Sequence, residues 1–269
     1  MTFPYSRDGA AFAQVRTIAA FARFTLLEAV RSRLGLVALA LICAGLVLGQ
    51  FLDEIALTEA RAIRSAVLAS LYRLGAVFLS ASFVITSLVR EHNDKGLELW
   101  LSLPVPRASY LLGKWLGFVW AGMLLGAMFG LPLLLTAPPG GVAAWTLSLM
   151  LELSLVASVS LLCVLTFNHV VSGLAAVAAF YALSRVMAAL LTISASPVAP
   201  HGSAGFEAAS WTLNGIAALL PRLDQFTRTA WLLGNGVDSS TLSALTAQAA
   251  AYCALATGAA LIDLQRKNV

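Results

Sequence analysis

Residues 89–114 read VREHNDKGLELWLSLPVPRASYLLGK. The stretch gathers Arg90, Lys95, Arg107 and Lys114 with Glu91, Asp94 and Glu98, and lies between two runs that are almost wholly apolar, 66–89 and 111–137. Each run exceeds the ~20 residues a helix needs to cross a hydrocarbon core. Backbone groups in lipid must bond within their own segment, so runs of this length are predicted to be helices. Transmembrane barrel strands would show ten-residue alternation instead, and the sequence has none.

The whole chain follows the same pattern. Of its 269 residues, 59% are hydrophobic and 11% charged, and the mean hydropathy is +0.86. Soluble domains carry about 25% charged residues. Six spans are predicted, at 34–52, 66–89, 111–137, 142–167, 171–193 and 241–262. They form a single all-α transmembrane domain over residues 1–269. The first apolar core lies too deep in the chain for a signal peptide. Cys43, Cys163 and Cys253 are scattered and read as small core residues.

Orientation follows from the distribution of Lys and Arg. With the N-terminus inside, eleven cations fall on the inner side and four (Arg61, Arg64, Arg222, Arg228) on the outer. Both termini and the polar island are therefore expected in the cytoplasm. The net charge of +4 is accounted for by these flanking cations, so no nucleic-acid partner is inferred.

Before the first span, Phe12, Val15, Ala19, Ala22 and Leu26 recur at helical spacing with Arg16 and Arg23 off the stripe. An interfacial amphipathic helix over 10–32 is expected, its basic face toward anionic lipid. On the other side, TAPPGGVA (136–143) forms a tight turn, and residues 194–240 form a long connection. Two short amphipathic helices dipping into the outer interface are expected in that connection. One uses Phe206, Leu213, Ile216 and Leu220, the other Leu223, Phe226, Ala230 and Leu233.

Within the island, Glu91, Lys95 and Glu98 share one helical face, and Leu97, Trp100 and Leu101 another. Pro104 and Pro106 end that helix, and Arg107 starts the next. The pattern fits a short helix lying flat under the membrane, a turn and a re-entry, and equally a solvated loop with anchoring side chains. Such a helix can be pushed by a partner.

At this point the sequence resembles the permease subunits of type-2 ABC transporters. REHNDKGLELWLSLPVPRASYLLGKWLG (90–117) looks like their cytoplasmic loop, through Glu91, Lys95, Gly96, Leu97, Glu98, Ser102, Pro104, Arg107, Gly113 and Lys114. FTLLEAVRSRLGLVALAL (24–41) is similar to their interfacial helix, basic step and first span. The resemblance covers nearly the whole chain. It implies that the loop 90–110 is a coupling helix docking on a separate ATPase, with Glu91, Lys95, Gly96, Glu98, Trp100, Pro104 and Arg107 at the contact. Asn168 and His169, in the second inner turn, would lie beside it. The resemblance also implies two permease copies, this chain with itself or with a paralogue, and two ATPase subunits in a bacterial inner membrane. Further periplasmic or membrane subunits would fit the same scheme. An exporter is expected.

A phosphate-binding loop is absent from the sequence: Gly113-Lys114 is followed by Trp115, and Ala108 stands where the first glycine would be. No cofactor, metal or catalytic site is expected in this chain; ATP and Mg would be held by the partner. His92, His169 and His201 are scattered, which does not suit a metal site. Three ionisable residues, Arg73, Glu152 and Arg185, fall inside spans at similar depths. Such groups pair with one another or face a cavity, so either structural pairing or contact with a charged substrate group fits. Gly45 and Gly49, and Gly122, Gly126 and Gly130, are spaced for close helix approach. Two alternatives remain open at this level: a proton-coupled transporter using the three charges as a relay, and a non-transporting membrane scaffold.

Overall fold

The computed structural model describes residues 7–55, 60–94, 106–167, 169–194, 204–234, 236 and 238–266. Among them the chain is helical with no strand. The helices are α1 (Arg7–Arg31), α2 (Leu34–Ile55), α3 (Ala60–Asn93), α4 (Arg107–Gly130), α5 (Pro139–Phe167), α6 (Val170–Ser194), α7 (Ala204–Leu219) and α8 (Ser239–Arg266). Six of these, α2 to α6 and α8, are long and apolar enough to cross a membrane.

The helices outrun the apolar stretches that predict them. α3 continues through Arg61 and Arg64 at one end and Arg90 at the other, because polar residues with good helix propensity extend a helix as readily as apolar ones. The first residues of the island, through Asn93, are therefore the last turn of α3; the rest of the expected flat helix, from Lys95 on, lies outside the described residues. α4 tightens into a 3-10 turn, Leu131–Leu135, where Pro132 removes a backbone donor. Pro139 then opens α5, at the position where its fixed φ suits a first turn. Asp238 caps α8 by accepting bonds from the hydroxyl and the N–H of Ser240, the latter at 3.1 Å. These bonds hold its carboxyl below the usual aspartate range.

α5 is the central helix. Its apolar residues run all round it, and it buries Trp145, Leu149, Leu153, Leu155, Val156 and Leu161 among others. α3, α4, α6 and α8 surround it. α8 presents Leu245, Ala249, Cys253, Thr257, Ala260 and Leu264, a stripe at three- and four-residue steps. Between helices in lipid, close packing replaces the hydrophobic effect as the attractive force, and glycines set the distances. A Cβ at Gly122 would lie 3.3 Å from Leu153 Cβ, and one at Gly126 would lie 2.9 Å from Met150 Cγ. The glycine repeat in α4 thus packs against α5 within the one chain. Gly45 and Gly49 likewise admit Tyr72 and Leu68 of α3, and the Tyr72 hydroxyl donates to the carbonyl of Ile42 at 3.2 Å.

α1 packs on the bundle through a face that includes only part of the apolar stripe, Ala22 and the half-buried Leu26. Phe21, Ala22, Thr25 and Ala29 are buried, while Val15 and Phe24 are 63% and 66% exposed. The notch is made by Gly113 and Gly117 of α4, which touch Ile18, Phe21, Ala22 and Thr25. α1 is therefore apolar on both sides, one on protein and one outward. Cys253 is buried as expected, but Cys43 is exposed on the outer face of α2.

The connection before α8 folds back into the bundle. A helix, α7, forms where the first of the two was expected. The second is instead a pair of 3-10 turns, Leu223–Gln225 and Thr229–Leu233, and it buries Leu223, Phe226, Trp231 and Leu232 rather than Ala230 and Leu233. It also comes close at Gly141, where an added Cβ would lie 2.0 Å from the carbonyl oxygen of Trp231. Only a glycine fits there.

Candidate functional site

Two polar constellations stand out in this apolar chain. One lies inside the bundle, where Glu152 of α5 is completely buried. Its Oε1 accepts the hydroxyl of Tyr181 at 2.8 Å and Arg185 Nη1 at 3.4 Å; its Oε2 accepts the hydroxyl of Thr227 at 3.2 Å. Arg185 also donates to the carbonyl of Leu223 and, through Nη2, to Thr227 Oγ1 at 3.4 Å. The N–H of Thr227 donates to Ser148 Oγ at 3.0 Å. A buried carboxylate is tolerated only when charge and hydrogen bonds compensate it, and here both are supplied.

The sequence reasoning expected Arg73, Glu152 and Arg185 to meet. The structure brings Glu152 and Arg185 into an ion pair and places Arg73 near enough to feel both charges and the Tyr181 hydroxyl. It adds Tyr181, Thr227 and Ser148, which the sequence reading does not mark, and the carbonyl of Leu223, marked there only for its apolar side chain. Tyr181 precedes Arg185 by one helical turn, so a shared face was readable. Thr227 carries no such signal. Its φ is +49°, a left-handed conformation that is an outlier for a β-branched residue and costs about 1–3 kcal/mol. Its side chain and its N–H are both engaged, which holds it there.

Depth follows from register. Ser148 lies nine residues into α5, and Arg185 nine residues before the end of α6. At ~1.5 Å per residue this is about 13 Å from that end of the bundle. The turn at 223–227 therefore reaches well inside, and the connection returns at the level of Gly141.

The second constellation sits at the island end. Lys114 Nζ pairs with Glu91 Oε2 at 2.7 Å, with both side chains largely buried. Glu28 of α1 accepts Ser87 Oγ at 3.0 Å and pairs with Arg90. Phe21 and Tyr110 meet edge to face at 5.3 Å. Arg107 Nη1 donates to the carbonyl of Leu264 at 3.3 Å, tying α4 to α8. The ends of α1, α3, α4 and α8 are thus joined where the island leaves and returns. Glu91 turns into the bundle to reach Lys114, and Arg107 turns toward α8.

Of the other residues expected at the island contact, Lys95, Gly96, Glu98, Trp100 and Pro104 lie outside the described residues, as does Asn168. His169 is exposed at the start of α6. Ser172 donates to the carbonyl of His169 at 3.2 Å, so this hydroxyl is engaged with backbone rather than with the imidazole. No protein-family model matches the chain, and no curated protein matches it either.

Proposed function

We propose that this chain is the membrane-spanning permease subunit of an ABC exporter. It would lie in a bacterial inner membrane with both termini in the cytoplasm. It would pair with a second permease copy or a paralogue and with two ATPase subunits that hold ATP and Mg. The resemblance of residues 90–117 to a coupling loop raises the reading. The observation that carries it is the Glu91–Lys114 pair, which closes the base of that loop at 2.7 Å.

A loop that transmits force must be joined stiffly to what it moves. Residues 95–105 leave from the last turn of α3 and return to the first turn of α4, and both feet are tied. Glu91 and Lys114 hold them to each other, Arg107 holds α4 to α8, and Glu28 with Arg90 holds α3 to α1. A push from an ATPase on Lys95, Gly96, Glu98, Trp100 or Pro104 would move four helices together. Glu91 acts in this scheme as a brace behind the contact.

The buried charges favour pairing over a proton relay. A relay carboxylate needs a water path, whereas Glu152 is sealed and has three partners. Glu98→Arg in a mild-detergent pull-down from the native host tests the reading. An ATPase recovered with the wild type and lost with the variant is the expected result. Recovery of no ATPase with either would bring the proton-driven alternative forward.

A further inference from the structure

A cleft of about 300 Å³ opens between α6, α7 and the turn that follows α7. Its apolar wall includes Met187, Leu191 and Ala217, and its polar lining includes Ser184, Arg222 and Asp224. Ser184 is 1% exposed, and its hydroxyl has no hydrogen-bond partner. A buried hydroxyl without a partner is uncommon and calls for an explanation. Arg222 is exposed and Asp224 half-buried, and among the described residues neither forms a salt bridge.

The depth of this turn gives the charges their meaning. Leu223, between them, bonds to Arg185, about 13 Å from the end of α6 by helical rise. At such depth a cation and an acid face a cavity or a ligand rather than acyl tails. The outer side of α7 is apolar, with Trp211 and Leu219 80% and 79% exposed. The cleft therefore offers an apolar slot, a buried donor in Ser184, the exposed amide of Asn214, and one charge of each sign beside it. Its volume is at the low end for small-molecule sites, enough for one chain.

We propose that this cleft binds an amphiphile with an apolar chain and a zwitterionic head. The anionic part of the head meets Arg222 and the cationic part meets Asp224. Ser184 donates to an ester or hydroxyl oxygen, and the chain lies along Met187, Leu191 and Ala217. As a statement about the transported substrate this rests on the permease reading; the binding itself does not.

The test uses the full chain in maltoside micelles, whose heads are uncharged. Lysophosphatidylcholine is titrated, with bound copies counted by native mass spectrometry and Tm followed in parallel. One saturable copy per chain and a raised Tm are expected, with weaker binding of anionic lysophosphatidylglycerol. Arg222→Ala and Asp224→Ala, at exposed or half-exposed positions, should each weaken binding about fivefold, the loss of one ion pair. Ser184→Ala should raise the Tm of the empty protein yet lower affinity, which a purely structural serine would not do. Ala217→Trp should fill the slot and abolish binding. Competition by diacyl phosphatidylcholine would identify a bilayer lipid as the source; its failure to compete would identify a single-chain amphiphile. Equal binding of the two lysolipids, or unchanged binding in the charge and slot variants, overturns the proposal. Binding as expected without any ATPase partner would sink the permease reading and leave this site standing.

Discussion

Glu152→Gln keeps the volume of a buried side chain and removes its charge. Arg185 would then face a neutral amide, with Arg73 nearby and no acid between them. Removing one partner of a buried ion pair costs about 3–5 kcal/mol. Two features reduce that here: the Arg185 side chain is 20% exposed, and it keeps the carbonyl of Leu223 and the hydroxyl of Thr227. The glutamine oxygen can also still accept Tyr181. We expect about 2–3 kcal/mol of destabilisation, or a Tm lower by about 4–12 °C for a chain of this size. Arg185→Gln should cost more, because Glu152 is fully buried and would lose its cation. The double variant should cost less than the sum of the two. The loss should also be local. Thr227 is held in a left-handed conformation by the same cluster, so freeing it loosens the turn. Trypsin should then cut faster at the exposed Arg222 and Arg228. Thermal unfolding in detergent and a timed digest measure both effects. A variant within about 0.5 kcal/mol of wild type, the range of neutral surface changes, with an unchanged digest, would refute the role given to Glu152.

Three further changes probe the packing. Gly117→Val would push a side chain into Thr25 Cβ, already 2.5 Å from where a Cβ would sit; displacement of α1 should appear as accelerated proteolysis at Arg16 and Arg23. Gly141→Ala sets a methyl 2.0 Å from the carbonyl oxygen of Trp231, so the connection must move, and the tryptophan emission should shift red with a loss of Tm. Tyr72→Phe removes the bond to Ile42 and should cost about 1 kcal/mol, readable as a small Tm decrease with an unaltered elution volume on size exclusion.

The six long helices were legible because hydropathy reports length in a membrane directly. Their ends were not, since Arg61, Arg64 and Arg90 continue α3 past the apolar run. The face by which α1 meets the bundle was not legible either, because beside lipid both sides of a helix are apolar, as Val15 and Phe24 show against Phe21 and Ala22. The glycines were the better guide, because their spacing reports approach between backbones. The pairing of Glu152 with Arg185 was legible since each is costly at depth without the other. Thr227 was not, because its place depends on where a long connection folds back, and no local residue pattern marks that. The brace between Glu91 and Lys114 was hidden by its own helical pattern, which equally suits a surface face shared with Lys95 and Glu98.

The central claim is that the braced island couples these helices to an ATPase. Co-purification from the native host should be measured for the wild type, for Glu91→Lys, for Lys114→Glu and for the double swap. The account predicts an ATPase with the wild type, its loss with either single variant, and its return with the double, where the pair is restored in reverse. Recovery of the ATPase with all four chains would contradict the brace, and recovery with none would contradict the coupling itself.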